Sequence, residues 1–166
     1  MALRRRNRLR LGDLLIQQNV LTEEQLRAAL QMQKGTNKKI GEILVEEGFI
    51  TEEMIARALE AQMGLKTVQL RGLTVPGEIK KLIDVKLLKK YTVFAFEVDP
   101  YNANILHLAM ADPLDMEAID DIAIVTNMQI EPYIATRRDI RSAIDRNYGD
   151  AENIDAVNRF ARERAQ

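Results

Sequence analysis

The chain has 166 residues, of which 46% are hydrophobic, and its 24 basic and 25 acidic residues give a net charge of -1. This size allows one globular domain or two small ones, and the balanced charge argues against a nucleic-acid polymer as the partner. The absence of cysteine rules out disulfides and thiolate metal sites. No apolar run is long enough to span a membrane, so we expect a cytoplasmic protein.

The N-terminal segment is strongly basic. It contains Arg4, Arg5, Arg6, Arg8 and Arg10, and no apolar stretch of signal-peptide length follows. Two interpretations stay open for this cluster: a solvated tail, or a contributor to the binding of an anion or a partner.

Residues 10–33 and 39–62 repeat each other at an offset of 29 positions without a gap. The repeat aligns Gly12 with Gly41 and Gln33 with Gln62. Within each copy, apolar residues recur at helical spacing, which predicts a helical hairpin. Because neither hairpin could bury its apolar face alone, the two together predict a four-helix unit within residues 1–64.

Each hairpin carries matching turn and cap signals. The first helix is predicted to end at Asn19 in one copy and at Gly48 in the other, residue types that tolerate a left-handed backbone. Thr22 and Thr51 are predicted to cap the second helices, and Gln25 completes a capping box in the first copy only.

The pattern changes after residue 64. Residues 65–77 are typical of a connector with a possible short strand, and residues 78–90 predict one or two short helices. Residues 91–98 and 105–111 predict a β-hairpin. Asp112 is expected to cap a helix that has Pro113 in its first position and runs to about Val125. Residues 129–135 predict a third strand, and Thr136 begins a closing helix that extends to Tyr148.

These elements predict an α+β fold. A four-helix unit built from two tandem hairpins precedes a small three-stranded sheet packed with helices. The expected organisation is a tandem-repeat helical subdomain at 1–64, a connector at 65–77, an α+β subdomain at 78–148 and a linker or tail at 149–166.

The sequence contains no recognisable catalytic equipment. It has no GxxxxGK[ST] phosphate loop, no GxGxxG, no HExxH and no GxSxG. The single histidine, His107, lies in the middle of a predicted strand and is interpreted as a structural or surface residue. We therefore predict no catalytic residue and no metal ligand.

The opening of each repeat is the candidate binding feature. A basic residue, an aliphatic residue and a glycine stand together, and a glycine there lets a ligand approach the backbone where helix N–H groups favour phosphate. Arg10 can fork onto the O6/N7 edge of guanine or stack on its plane. Such paired half-sites suit an anionic, aromatic, two-lobed ligand.

The apolar stripes that follow allow a second interpretation. Leu26, Leu30 and Gln33 share one helix face, and the same face in the second copy carries Ile55, Leu59 and Gln62. The aliphatic residues could instead pack between the hairpins, and the two glutamines could hold the turns that precede each hairpin.

The doubled pattern RLG-x-x-L, then T-E-E-x-L-x-x-A-L-x-x-Q, resembles the MshE-type N-terminal domain. AMADPLD at residues 109–115, followed by RRDIRSAIDRNYG, resembles the rest of that general secretion pathway E-protein N-terminal domain, so the resemblance covers about residues 8–149. Such domains precede the hexameric ATPase of type II secretion systems or the extension motor of type IV pili. The resemblance implies a regulatory module without catalysis or cofactor of its own, with ATP and Mg²⁺ bound only by an ATPase domain outside this sequence.

The resemblance also implies a ligand, because many members bind cyclic di-GMP with one motif on each half. Other members dock a cytoplasmic region of an inner-membrane platform protein, which would place the chain peripherally at that membrane. Lys39 stands where the family has arginine, which keeps the charge but loses the planar fork. The implied contacts are Arg10, Leu11, Gly12, Leu26, Leu30 and Gln33 in the first motif, and Lys39, Ile40, Gly41, Ile55, Leu59 and Gln62 in the second. Further candidates are Asp13, Glu42 and Asp112.

Overall fold

The structure is a computed structural model, and it describes residues 10–149. The helices are α1 Leu11–Gln17, α2 Glu23–Gln33, α3 Ile40–Glu46, α4 Glu52–Met63, α5 Gly77–Lys80, α6 Val85–Tyr91, α7 Met116–Thr126 and α8 at residues 137–149. The strands are β1 Val93–Val98, β2 Ile105–Met110 and β3 Gln129–Ile134. The predicted α+β class is confirmed. The basic residues before Arg10 and the predicted tail from residue 150 onward lie outside the described residues.

The two repeated segments each form a pair of helices. The residues that open them have nearly the same backbone angles, φ -77° and ψ 155° at Arg10 against φ -79° and ψ 154° at Lys39. Asn19 and Gly48 follow the first helix of each pair with φ of 61° and 74°, in the left-handed conformation that the sequence predicts.

The second helix of each pair begins at its predicted threonine. The hydroxyl oxygen of Thr22 accepts from the amide of Gln25, and the Gln25 side chain accepts from the amide of Thr22, which completes the capping box. Thr51 accepts from the amide of Met54 without the reciprocal bond. Both cap predictions are confirmed.

Helices α1 to α4 enclose one apolar cluster. Leu15, Leu44 and Leu59 have no exposed surface there, and each such side chain stabilises the fold by about 2 kcal/mol through burial. Ile134, the last residue of β3, belongs to the same cluster. The helical unit therefore packs directly against the end of the sheet.

The sheet has the order β1-β2-β3. Strands β1 and β2 form the predicted antiparallel hairpin, whereas β3 runs parallel to β2 after the crossover through α7. Along the free edge of β3 the connector contributes a single bridge, Thr67 with Ile134, where the sequence allowed a short strand. A second apolar cluster fills the space between the sheet and helices α5 to α8.

The prediction that Asp112 caps the helix after β2 is wrong. Asp115 is the N-cap, its carboxylate accepts from the amide of Ala118 at 3.2 Å, and α7 begins at Met116. The carboxylate of Asp112 accepts from the amide of Leu114 at 3.0 Å instead. This bond closes a turn around Pro113, so the chain reaches Asp115 before the helix can start.

The remaining helix boundaries follow the sequence. Asn127 ends α7 with φ of 54°, and the hydroxyl oxygen of Thr136 accepts from the amide of Asp139 at the start of α8. Among the described residues, no helix combines the length and the apolar character that crossing a membrane requires.

Candidate functional site

The openings of the two repeats meet in the structure. A Cβ added to Gly41 would lie 3.1 Å from Cδ2 of Leu11, so the first turn of α1 packs against the first turn of α3. The same Cβ would lie 3.5 Å from Nη2 of Arg137 and 3.9 Å from Cδ1 of Ile55. Helices α4 and α8 therefore complete the surroundings of Gly41.

A small pocket opens at this junction. Three of its lining residues, Leu11, Gly41 and Ile55, belong to the predicted contact set. The pocket thus lies between the helical unit and the α+β part rather than within either. Its lining consists of Leu11, Gly41, Val45, Glu52, Ile55, Ala56, Ala111, Ala135, Thr136 and Arg137.

Arg137 is the unusual residue of this pocket. Only 8% of it is exposed, and its guanidinium makes no hydrogen bond or ion pair with another described residue. Burial lowers the pKa of Arg137, while the carboxylates of Glu42, Glu52 and Asp112 act on it only at longer range. A buried guanidinium normally has a hydrogen-bonded anion beside it, because desolvating an uncompensated charge is costly. The positive charge of Arg137 therefore favours the binding of an anion in this pocket.

The first half-site has a different character. A Cβ on Gly12 would lie 2.5 Å from Cδ1 of Leu26, so Leu26 of α2 covers Gly12 directly. Gly12 is needed for this close packing of the hairpin, which agrees with the packing interpretation of the Leu26 stripe. Access of a ligand to Gly12 requires that the Leu26 side chain turn away.

The two basic residues that open the repeats differ in environment. Arg10 is exposed, and its guanidinium has no hydrogen bond or ion pair within residues 10–149. Nζ of Lys39 lies 2.7 Å from Oδ2 of Asp115, 3.4 Å from the carbonyl oxygen of Tyr91 and 5.4 Å from the centre of the Tyr91 ring. Lys39 thus ties the helical unit to the N-terminus of α7, whereas Arg10 is available to a ligand.

The two glutamines hold neighbouring segments. Nε2 of Gln33 donates to the carbonyl oxygen of Lys38 at 3.1 Å, which confirms for Gln33 the interpretation that it fixes the turn before the second hairpin. Oε1 of Gln62 accepts from Nε2 of Gln18 at 3.0 Å, at the end of α1. Both amides lie near the surface, where these bonds can exchange for ligand contacts.

The other predicted contacts divide by exposure. Leu59 has no exposed surface and supports the site from within the apolar cluster, whereas Leu30 is 43% exposed. Asp13 is exposed on α1, and Ile40 is half-buried at the start of α3.

The acidic candidates have contrasting environments. The Glu42 carboxylate accepts from Nη2 of Arg141 at 2.7 Å. Burial acts to raise the pKa of Glu42, but the hydrogen bond from Arg141 and the charges of Arg137 and Arg141 outweigh it and lower that pKa. Burial raises the pKa of Asp112, and its bond from Leu114 and the charges of Lys39 and Arg137 only partly oppose this.

Sequence reasoning did not identify Arg137 as a site residue. The run Arg137-Arg138 was visible, but the sequence does not say which arginine faces inward. Arg138 is 69% exposed in its side chain and pairs with Glu53 at 3.0 Å. Which of Arg137 and Arg138 faces inward depends on how α8 packs against the rest of the fold, and no local sequence pattern indicates that packing.

The chain is similar to known proteins of one family. The MshEN domain family matches residues 63–154. The chain is 34% identical over 143 residues to the type IV pilus assembly ATPase PilB of Myxococcus xanthus (strain DK1622), covering 85% of this chain and 24% of that protein. It is 28% identical over 139 residues to PilB of Thermus thermophilus, covering 84% of this chain and 16% of that protein. The chain thus spans about a quarter or less of the length of these relatives.

Solved structures resemble the chain over both of its parts. MshE, solved with cyclic di-GMP (cdg), aligns with a TM-score of 0.64 and 27% identity over 84% of this chain and 99% of its own. The N-terminal domain of XpsE aligns with a TM-score of 0.67 and 23% identity over 84% of this chain and 94% of its own, which shows a similar fold.

Proposed function

Because the chain belongs to the MshEN domain family, we propose that it is a non-catalytic regulatory domain that binds cyclic di-GMP at the junction of its two parts, with a phosphate group at the small pocket formed by Leu11, Gly41, Ile55 and Arg137. The observation that carries this proposal is the buried guanidinium of Arg137 without a hydrogen-bonded anion. The fold shared with MshE, which was solved with cyclic di-GMP, supports the identity of the ligand.

The phosphate groups of the ligand match the charge of the pocket. A guanidinium binds a phosphate through two parallel N–H···O bonds, and such charge-assisted bonds are strong where water is excluded. Only 8% of Arg137 is exposed, so the pocket presents a guanidinium that is already largely removed from water, and a bound phosphate would need to displace little more solvent from it. Gly41 keeps the floor of the pocket open, because any side chain there would fill the space before Arg137.

The guanine rings are assigned to the flanking half-sites. Exposed Arg10 can stack on a base or fork onto its O6/N7 edge. The partly exposed Leu26 and Leu30 and the surface amide of Gln33 lie on the helix that follows. Asp112 can accept from the N1–H and N2–H groups that guanine carries and adenine lacks. The site is therefore expected to select its ligand by the identity of the base as well as by the charge of the phosphates.

Binding at this pocket would couple the two parts of the fold. Leu11 and Gly41 belong to the helical unit, whereas Arg137 begins α8, and without ligand the Lys39–Asp115 ion pair is one of the polar links between the parts. A ligand that contacts both sides favours one arrangement of the parts by its differential affinity for that arrangement. In this way the binding of a second messenger could change the arrangement of the domain and, through it, the activity of a motor.

The wider setting is proposed from the relatives. The chain would precede the ATPase domain of a type IV pilus assembly or type II secretion motor, a hexamer in which ATP and Mg²⁺ bind outside this segment. An inner-membrane platform protein is the proposed protein partner, and the chain would lie at the cytoplasmic face of that membrane through it.

Calorimetric titration of the chain with cyclic di-GMP tests the proposal, with cyclic di-AMP as the control for base selectivity. We expect saturable heat with one ligand per chain and a dissociation constant in the micromolar range or below. A micromolar dissociation constant corresponds to a binding free energy on the order of -8 kcal/mol. Absence of heat at tens of micromolar ligand, or equal affinity for cyclic di-AMP, would overturn it.

A further inference from the structure

His107, the only histidine of the chain, is surrounded by carboxylates. Its side chain is 5% exposed, and its Nδ1 lies 2.7 Å from Oε2 of Glu97. Its Nε2 lies 3.0 Å from Oδ2 of Asp99 and 3.2 Å from Oε2 of Glu131. One imidazole therefore faces three acidic groups.

The fold sets these groups in fixed positions. His107 on β2 is in register with Glu97 on β1 and with Glu131 on β3, so the three side chains form a row across the sheet. Asp99 follows β1, and its Oδ1 accepts from the amides of Tyr101 and Asn102 at 2.8 and 3.1 Å. That turn directs the other oxygen of Asp99 towards Nε2.

The acidic groups around Nε2 favour a positive species at that atom, either a metal cation or a proton. When Nδ1–H donates to Glu97, a neutral ring turns the lone pair of Nε2 towards two carboxylate oxygens, which is repulsive unless a positive species lies between them. Two ligand atoms bound to one ion at about 2.1 Å lie about 3 Å apart at octahedral angles and about 3.4 Å apart at tetrahedral angles, and the observed separations from Nε2 are 3.0 and 3.2 Å. This spacing allows Nε2 and the two oxygens to be neighbouring ligands of one ion, and it equally allows a hydrogen bond from a protonated Nε2 to Asp99.

We propose that Nε2 of His107, Asp99 and Glu131 bind a divalent transition-metal cation of the zinc type, with Glu97 orienting the imidazole. The three ligand atoms lie within 4.8 Å of one another. One imidazole with two carboxylates suits such ions, and a carboxylate on the far ring nitrogen is the usual outer partner of a metal-bound histidine. The half-exposed Glu131 leaves room for water in the remaining positions.

Two aromatic rings lie beside the imidazole of His107. The rings of Phe96 and Tyr133 lie 5.9 and 4.9 Å from the imidazole by their centroids. They shield the ring and lower the local polarity, which strengthens a bond between the ion and its ligands. A proton on Nε2 is the competing occupant of the same position.

Titration of the full 166-residue chain with ZnCl₂ after EDTA treatment, at pH 7.5, tests the proposal. We expect one saturable site, with Asp99→Asn and Glu131→Gln each weakening the affinity by at least about 10-fold and Glu97→Gln weakening it by about 10-fold as an outer partner. The matched controls Asp120→Asn and Glu78→Gln, at exposed positions away from the sheet row, are expected to leave the affinity unchanged.

The ¹⁵N spectrum of the single histidine gives a readout that does not depend on a variant folding. On addition of ZnCl₂, the Nε2 resonance is expected to move to a metal-bound position while Nδ1 keeps its proton. An imidazolium spectrum that zinc leaves unchanged would mean that a proton occupies the site and would overturn the proposal. Zinc binding that Asp99→Asn and Glu131→Gln leave intact would overturn it equally.

Discussion

Nη2 of Arg137 lies 3.5 Å from the point where a side chain on Gly41 would begin. The two residues are far apart in the sequence, one in the repeat and one at the start of α8, and Leu11 from the other repeat completes the contact. The candidate site is therefore made by three segments together. A substitution in any one of these segments is therefore expected to affect the candidate site.

Substitution of Gly41 by alanine is expected to weaken cyclic di-GMP binding by about 10-fold. The new methyl group would stand 3.1 Å from Leu11 and 3.5 Å from the guanidinium, which narrows the pocket and costs about 1 kcal/mol of stability. Calorimetry and thermal unfolding measure the two effects. Gly77→Ala is the control, because an added Cβ there meets nothing within 4 Å, and equal affinity in both variants would contradict the assignment.

Substitution of Arg137 by methionine is expected to stabilise the protein by about 1 kcal/mol or more while it abolishes ligand binding. A buried charge without a hydrogen-bonded partner is costly, and an apolar chain of similar length removes that cost. Urea unfolding without ligand measures the change in the free energy of unfolding. A loss of stability would show that Arg137 serves the fold rather than a ligand.

The Lys39–Asp115 ion pair is expected to contribute about 1 kcal/mol of coupling between the helical unit and α7. Its side chains are 31% and 19% exposed, so solvent screens it only in part. A double-mutant cycle of Lys39→Gln and Asp115→Asn, followed by urea unfolding, isolates the pair, since asparagine can keep the cap of α7. Additive effects of the two substitutions would mean that the contact carries no net energy.

Asp112 is expected to make stability fall as the pH rises through its titration range. Burial raises its folded pKa above the ordinary value of 3.8, so the folded state holds the proton more tightly than the unfolded chain. This contribution is full below the unfolded pKa and is lost as the pH rises through the folded pKa.

Asp112→Asn is the matching variant, because its side-chain oxygen can still accept from Leu114. It is expected to be more stable than the parent at pH 7 and to lose that advantage as the pH falls towards 3.8. Urea unfolding across this range measures the difference. A stability difference that does not vary with pH would contradict the effect of burial on Asp112.

The sequence predicted those features that depend on local chemistry. Thr22 and Gln25 lie three positions apart, and Asn19 tolerates a left-handed backbone, so the hairpin can be recognised without knowledge of the rest of the fold. Such signals led to Asp112 as the predicted cap, whereas Asp115 is the residue that caps α7. Both positions suit a cap, and the turn that Asp112 closes decided between them.

The features that depend on distant residues could not be predicted. Lys39 was expected to face a ligand, but its partner Asp115 lies 76 positions further along the chain. The inward side of the Arg137-Arg138 pair is set by how α8 packs on the helical unit. His107 was interpreted as a lone strand residue because its carboxylate neighbours come from the two flanking strands and from the turn after β1, and the sequence does not give the register of those strands.

The most direct test compares cyclic di-GMP affinity in two adjacent variants, Arg137→Gln and Arg138→Gln, by calorimetry. The substitutions remove the same charge from the same helix turn, one in the pocket and one on the exposed ion pair with Glu53. We predict that Arg137→Gln weakens binding about 10- to 100-fold, as expected for loss of hydrogen bonds to a charged group, whereas Arg138→Gln changes it less than about twofold. Equal effects of the two substitutions, or an undiminished affinity in Arg137→Gln, would contradict the assignment of the pocket as the ligand site.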